Sequence, residues 1–407
     1  MSNPLSTKAI VPNIIEPDGD VIMNALTFAR SHLDMEIAFL ARIVGDDLVF
    51  EVVVGPETET VIVVGQSVPM NLTLSQHIIE GRLPELITNV KDYPFIQDLG
   101  VLKKVNIQSH VGIPIYDSEG AIYGMFSCVD SRPKKSLNAR DLKVMRAFAS
   151  LSADQIIARL AQEEAAVLKR NAIEAVLEGH AFEIALQPIM RLQGDGTAGY
   201  EALCRFSPEP YRAPNLWFDD AAEAGLQVTL ELLVIEAALA FLPHLPPESY
   251  LAVNSSPNTL ATGEIAKLLE HVDGARVLIE ITEHAEIANL DQLLMAIDQL
   301  REQDVRIAVD DAGAGYSGLQ QIVRLRPEVI KLDISLTQDV DKDLARRSLA
   351  SAMVQFAKDT NARVVAEGIE TEAEMRTLKL LGVDMGQGYH LGRPKLAANL
   401  LDLEQAG

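Results

Sequence analysis

Eight polar residues in the C-terminal half of this chain lie inside or at the end of short apolar runs: Glu201, Asn254, Glu280, Asp310, Asp311, Lys331, Asp333 and Glu367. An acid that follows a strand often does no more than cap the next helix. Capping accounts for one or two of these. It does not account for Glu280, which Ile281 and Thr282 follow within the run, for the adjacent pair Asp310-Asp311, or for a lysine in such company. Like charges gathered at one place raise one another's pKa, and divalent cations remove that cost. A donor set of Glu, Asn and Asp, without His or Cys, selects the hard ions Mg²⁺ or Mn²⁺ over Zn²⁺. Two adjacent aspartates let one carboxylate bridge two ions while its neighbour binds only the second. Two such ions, ~3.5–4 Å apart, clamp the attacking and leaving oxygens of an in-line phosphoryl displacement. Metal-assisted phosphodiester hydrolysis is the chemistry this set suits.

The runs that carry these residues are GYEALCRF (199–206), YLAVNSS (250–256), VLIEITE (277–283), VRIAVDD (305–311), VIKLD (329–333) and ARVVAEGIE (362–370). Helical patterns such as LQVTLELLVIEAALAFL and LDQLLMAIDQLREQ fill the gaps. Repeated strand-then-helix units predict parallel strands, which need crossovers. At least six units in this half, with no Gly-rich fingerprint after the first strand, favour a closed (β/α)8 TIM-like barrel over an open sheet. In such a barrel the strand ends converge on one rim, where active sites lie.

The first half is built differently. Residues 1–19 read as a loose leader, and the apolar positions Ile22, Leu26, Phe28 and Leu33 predict a helix. Two hairpins follow, one over 36–55 about Gly45-Asp46-Asp47 and one over 107–130 about Asp117-Ser118-Glu119-Gly120. Strands with flanking helices and no regular βα alternation predict an α+β domain over 20–160. Residues 139–178 lack Pro and are rich in good helix formers, which predicts a long connecting helix that closes the first domain and pairs with its twin in a homodimer. The second domain runs over 179–407.

The composition sets bounds. The chain has 407 residues, enough for two or three domains, with 35 basic and 58 acidic side chains and a net charge of −23. That balance argues against a nucleic-acid duplex as partner. Cys128 and Cys204, 76 residues apart, offer neither a metal motif nor a disulfide framework. The N-terminus lacks signal-peptide features and no apolar run of ~18 residues is uninterrupted, so a cytoplasmic protein without a membrane span is expected. Cys128, His77, His110, Cys204 and Trp217 read as packing residues and His284 as peripheral.

Residues 183–395 resemble the EAL domain, whose members hydrolyse the bacterial second messenger cyclic di-GMP to linear 5′-pGpG. The naming motif stands as Glu201-Ala202-Leu203, followed by Arg205; upstream is Leu186-Gln187-Pro188-Ile189. Ala222-Glu223, Gly225-Leu226, Val253-Asn254-Ser255-Ser256, Glu280-Ile281-Thr282-Glu283, Asp310-Asp311, Lys331-Leu332-Asp333, Ala366-Glu367-Gly368-Ile369-Glu370 and Gln387-Gly388-Tyr389 follow in the family's order. The resemblance implies that Glu201, Asn254, Glu280 and Asp310 hold one metal, and that Asp310 and Asp311 hold a second with Asp333 nearby. It implies that Lys331 and Glu367 orient or deprotonate the attacking water; a lysine beside two cations would have its pKa lowered, which suits it to that work. Gln187, Leu203, Arg205, Glu370 and Gln387 are the implied substrate contacts, and Glu283 the anchor of the loop after Asp311.

That loop departs from the family. The usual D-D-F-G-T-G-Y-S-S reads Asp310-Asp311-Ala312-Gly313-Ala314-Gly315-Tyr316-Ser317-Gly318 here, without the Phe and Thr, so catalysis with altered regulation is expected. The first domain resembles a GAF domain, a sensory pocket for an unidentified small ligand, by its hairpins, closing helix and position. The reading is a cyclic di-GMP phosphodiesterase tuned by a sensory domain. Its alternative is a catalytically silent receptor that binds cyclic di-GMP and signals through protein partners.

Overall fold

The computed structural model describes residues 21–56, 62–282, 289–312 and 318–399. Its contacts divide the chain into two compact units, 1–165 and 166–407.

In the first unit the sheet is built from β1 (Ile37–Val44), β2 (Asp47–Val54), β3 (Ser67–Pro69), β4 (Leu86–Ile87), β5 (Ser109–Tyr116) and β6 (Ile122–Asp130), in the order β3-β2-β1-β6-β5-β4. Every pairing in it is antiparallel, and both expected hairpins are present. The helix Val21–Leu33 buries Ile22, Ala25, Leu26, Ala29 and Leu33, one face at helical spacing. Phe28 is not on that face; it is exposed and stacks on Phe148 at 6.3 Å between ring centroids. Cys128 and His110 are buried in strands, and burial pushes the Cys128 thiol up to about 12, which makes it inert packing.

The helix Ala139–Gly179 is continuous over 41 residues. Met145, Ala149 and Ile156 belong to the core of the first unit, while Ile173 and Val176 pack with Phe206 and Trp217 in the second. Leu151, Val167 and Leu168 remain exposed along it.

The second unit is a closed barrel of eight strands: β7 (Phe182–Arg191), β8 (Thr197–Phe206), β9 (Tyr250–Asn254), β10 (Val277–Thr282), β11 (Arg306–Ala312), β12 (Val329–Leu332), β13 (Arg363–Ala366) and β14 (Met385–Gly386). A short β15 (Lys395–Leu396) adds to β7. Strands β8 to β14 run parallel, but β7 is antiparallel to both its barrel neighbours, β8 and β14. The expected uniform (β/α)8 repeat is therefore corrected at its first strand. Five residues, 192–196, join β7 to β8, too few for a parallel crossover, so only a hairpin can form. Pro188 tolerates a place in β7 because β14 pairs with Met190 and Arg191 and β15 with Ala185 and Leu186, leaving the proline opposite neither.

Between strands and helices lies the main core, with Val253, Ile279, Ile281, Ile307, Val309, Ile330 and Val364 pointing outward from the barrel onto the helices. Inside it, Ile189, Ala252, Leu278, Ala308, Val329, Val365 and Met385 fill the middle. The segment Gln227–His244 is long and apolar enough on average to span a membrane, although Glu231 and Glu236 interrupt it. Its Leu230, Ile235, Ala238 and Leu239 are buried among the helices of this unit.

Candidate active site

Side chains alternate along a strand, so a residue two places beyond an interior one also faces the barrel interior. Counting up from the apolar middle layer, Ala252 leads to Asn254, Leu278 to Glu280, Ala308 to Asp310, Val329 to Lys331, Val365 to Glu367 and Met385 to Gln387. On the antiparallel β7, Ile189 leads to Gln187, which lies opposite Glu201 on β8. The C-terminal mouth of the barrel is thereby lined with amides, carboxylates and one lysine.

Lys331 is the centre of this set. Its Nζ donates to Glu280 Oε2 at 2.7 Å, and lies 2.7 Å from Glu367 Oε1, 3.2 Å from Asp310 Oδ1 and 3.8 Å from Glu201 Oε1. It is 1% exposed and Glu280 is fully buried. Burial by itself would lower the lysine's pKa, but the surrounding carboxylates of Glu201, Glu280, Glu367 and Asp310 outweigh it and hold the ammonium well above its usual range. The protein's own carboxylates thus favour the charged form of Lys331 and oppose the lowering that bound cations would produce.

The carboxylates respond differently. Burial, reinforced by Glu201 and Asp310, raises Glu280 well above the ordinary carboxyl value. Burial also pushes Glu367 up to about 8. Glu201 is buried too, yet Lys331 and the amides of Gln387 and Asn254 more than offset burial and lower it. Asn254 Nδ2 donates to Glu201 Oε1 at 3.1 Å, and Gln387 Nε2 to Glu201 Oε2 at 2.5 Å and Gln187 Oε1 at 3.0 Å.

Adjacent strand residues ordinarily face opposite sides, yet Asp310 and Asp311 reach one cluster. The register between β11 and β12 slips between Val309 and Ala312, and Asp311 adopts φ 56° in the left-handed region. Aspartate tolerates that conformation better than most residues. The Asp311 amide donates to Asp310 Oδ1 at 2.9 Å, and Asp310, Asp311 and Glu367 each bring an oxygen within 4.8 Å of the others.

Two observations bear on a metal. The trio supplies only carboxylate oxygens, and Glu280 Oε1 is buried without a hydrogen-bond partner. Both fit hard divalent ions. A second trio, Asp339, Asp341 and Glu374, also exists, but Glu374 already accepts from the backbone amides of Asp339, Glu370 and Thr371.

Other expected residues fall less neatly. Asp333 lies just past β12, where its Oδ1 accepts from Ser335 N at 2.9 Å and caps the short helix Ile334–Thr337; it is not among the three clustered carboxylates. For this residue, helix capping is what the structure displays. Gln187, Glu201, Asp310, Glu367, Glu370 and Gln387 line a cavity of about 430 Å³ at the mouth. Leu203 and Arg205 do not line it: they continue the Glu201 face of β8, and Arg205 Nη1 donates to Cys204 O at 2.9 Å. Glu283, His284 and the loop 313–317 lie outside the described residues.

The sequence reading missed several residues that hold this mouth in place. Glu231 accepts from Ser256 N at 2.8 Å and from the Ser255 and Ser256 hydroxyls, fixing the turn after Asn254. Thr337 Oγ1 donates to the carbonyl of Glu367. Glu374 forms a capping box with Thr371 and pins Glu370 from below. The pattern Thr371-x-x-Glu374 was visible as a capping box; the roles of Glu231 and Thr337 carry no local signal.

Residues 170–394, more than half of the chain, match the EAL domain family. The chain is 30% identical over 243 residues to the probable cyclic di-GMP phosphodiesterase PdeA of Escherichia coli, covering 57% of this chain and 33% of that protein. It is 29% identical over 253 residues to the bifunctional diguanylate cyclase/cyclic di-GMP phosphodiesterase MucR of Pseudomonas aeruginosa, covering 59% and 37%. It spans about a third of the length of such relatives. Among solved structures, the PaMucR phosphodiesterase in complex with cyclic di-GMP superposes with a TM-score of 0.52 at 28% identity, over 57% of this chain and 99% of that one. The EAL enzyme Bd1971, bound to cAMP and cyclic di-GMP, gives 0.56 at 18% identity over 91% and 93%, a likeness of fold.

Proposed function

This chain belongs to the EAL domain family, and we propose on that footing that it is a metal-dependent phosphodiesterase hydrolysing cyclic di-GMP to linear 5′-pGpG. The observation that carries the reading is the meeting of Asp310, Asp311 and Glu367 within 4.8 Å at a mouth where Lys331 and Glu280 are also in place. A receptor that had abandoned catalysis would have no need to maintain so many buried acids about one lysine.

Glu201, Asn254, Glu280 and Asp310 are the groups that would hold one divalent ion, and Asp310 with Asp311 a second. Two such ions, when bound, supply Lewis-acid polarisation of the phosphoryl oxygens and a water of lowered pKa. The chain's own residues do the rest. Glu367, ionised, accepts a proton from the attacking water as the new P–O bond forms and the bond to the ribose 3′ oxygen breaks. The leaving 3′ oxygen takes a proton from solvent water, Glu367 later returns its own to solvent, and the phosphate stays on the 5′ side. Lys331, 2.7 Å from both Glu280 and Glu367, orients those carboxylates and balances part of their charge. Gln187, Glu370 and Gln387, which line the cavity, would be the substrate contacts.

The six-stranded first unit is read as a GAF-like sensor for a small ligand, and the 41-residue helix, with Leu151, Val167 and Leu168 exposed, as the pairing element of a homodimer. Incubating the full chain with cyclic di-GMP and Mg²⁺ or Mn²⁺ tests the activity: release of 5′-pGpG supports it. Tight binding without turnover would make the protein a receptor instead.

A further inference from the structure

The interior rows that end in the active site begin, at the other end of the barrel, with arginines. Arg306 starts β11 two places before Ala308, and Arg363 starts β13 two places before Val365. Arg191 ends β7 two places beyond Ile189, and because β7 runs antiparallel its end lies at this same N-terminal mouth. All three face one cavity of about 440 Å³, lined also by Arg276, Ser249, Tyr250, Glu248 and Asp384. At ~3.3 Å per residue, Arg306 is about 13 Å along its strand from Asp310, so this cavity is separate from the active site.

Arg276 has a structural role. It donates to the carbonyls of Leu242, Leu245, Pro246 and Ser249 and so secures the turn before β9. The other three arginines are not accounted for in that way. Arg191 donates to Thr197 O; Arg306 donates to Ala275 O at 3.3 Å and lies over the Tyr250 ring at 4.7 Å. None of the three is within ion-pair distance of a carboxylate among the described residues, in a chain where acids outnumber bases 58 to 35. Arg363 is exposed and makes no side-chain hydrogen bond among the described residues. Two further donors in the wall, Ser249 Oγ and Arg306 Nε, are buried without a partner, which buried polar groups rarely are. Burial, together with the nearby charge of Arg363, holds the Arg306 guanidinium below its usual value. Two acids line the cavity: Asp384 Oδ2 accepts from Val364 N at 2.8 Å, and Glu248 is exposed at the rim. A third, Glu328, lies near enough to offset part of the lowering of Arg306, but it is paired with Arg301 at 2.9 Å.

We propose that this N-terminal mouth is a binding site for a small phosphate-bearing anion, held by Arg191, Arg306 and Arg363 with the Ser249 hydroxyl. Guanidinium forks match the several oxygens of a phosphate group and can each donate two bonds to it. The cavity is of the size that holds a small phosphorylated molecule. An anion there would relieve the repulsion among the arginines and satisfy the orphaned donors.

Calorimetric titration of the full chain in EDTA, which prevents metal-mediated binding at the opposite mouth, tests this with four probes: inorganic phosphate, pyrophosphate, GMP and citrate. One equivalent of pyrophosphate is expected to bind. Arg363→Glu, at an exposed position, should weaken it about ten-fold or more. Ser249→Ala, which removes only a hydroxyl, should weaken it less, and Glu367→Gln should leave it unchanged. Inorganic phosphate binding as tightly as pyrophosphate would assign the site to free phosphate, and tighter GMP to the phosphoryl group of a nucleotide. No binding at millimolar pyrophosphate overturns the proposal. So does equal binding by Arg363→Glu, loss of binding in Glu367→Gln, or tighter binding of citrate than of any phosphate.

Discussion

On the proposed reading, Lys331 and Glu367 set the chemistry at the scale of single residues. Replacing Lys331 by Met removes the cation around which Glu201, Glu280, Glu367 and Asp310 are gathered. Leaving buried charges without their partner costs about 3–5 kcal/mol, so urea unfolding in EDTA should show a loss of that order, with a smaller loss when Mn²⁺ is added. Glu367→Gln keeps the shape of the side chain but cannot accept the water's proton. Turnover of cyclic di-GMP should fall by about 10²–10⁴ while calorimetric binding of the nucleotide persists; a variant with undiminished turnover would take the base role from Glu367.

Geometry at the scale of elements is decided where strands end. The slip in β11 that turns Asp311 toward Asp310 has its counterpart at Gly388, after β14, where φ is 154°. A Cβ there would lie 2.2 Å from the backbone N and O of Ile369. Gly388→Ala must therefore push apart the segments carrying Gln387 and Gly368–Glu370. A cost of about 1–3 kcal/mol in thermal unfolding is expected, together with weaker nucleotide binding, since Gln387 bonds Glu201 and Gln187. Glu231→Ala acts from a helix: it releases the amide and hydroxyl of Ser256 and loosens the turn behind Asn254. Its turnover should require more Mn²⁺ for half-maximal rate, and an unchanged metal requirement would reduce Glu231 to a packing residue.

Charge at the scale of the whole molecule makes stability depend on pH. Glu367 and Glu280 bind protons more tightly in the folded state than their ordinary value of 4.5. Their contribution is therefore favourable at low pH and is lost as pH rises, for Glu367 through about 8. Glu201, lowered, acts in the opposite sense and loses its contribution as pH falls through its folded value. In EDTA the melting temperature should decline between pH 5 and 8, and Glu367→Gln should flatten that decline. Mn²⁺ binds the ionised carboxylates, so its stabilisation should grow over the same interval. Removing residues 1–165 should alter the rate or the oligomeric state; an unchanged enzyme would sever the first unit from control of the second.

The sequence by itself determined the two kinds of architecture and the identity of the acids. Strand-then-helix alternation is a local pattern, and motifs such as Glu201-Ala202-Leu203 and Asp310-Asp311 are visible without coordinates. The hairpin that opens the barrel was also present in the five-residue link of 192–196, though only the pairing of β7 with β14 gave it meaning. Tertiary structure alone decided the rest. Lys331 met carboxylates 21 to 130 residues away in the chain, Asp333 turned to a helix cap, and the arginines of the far mouth met only because alternate residues of separate strands point into one barrel. Electrostatic energy depends on distance in space, and the order of residues along a chain does not supply that distance until the barrel closes.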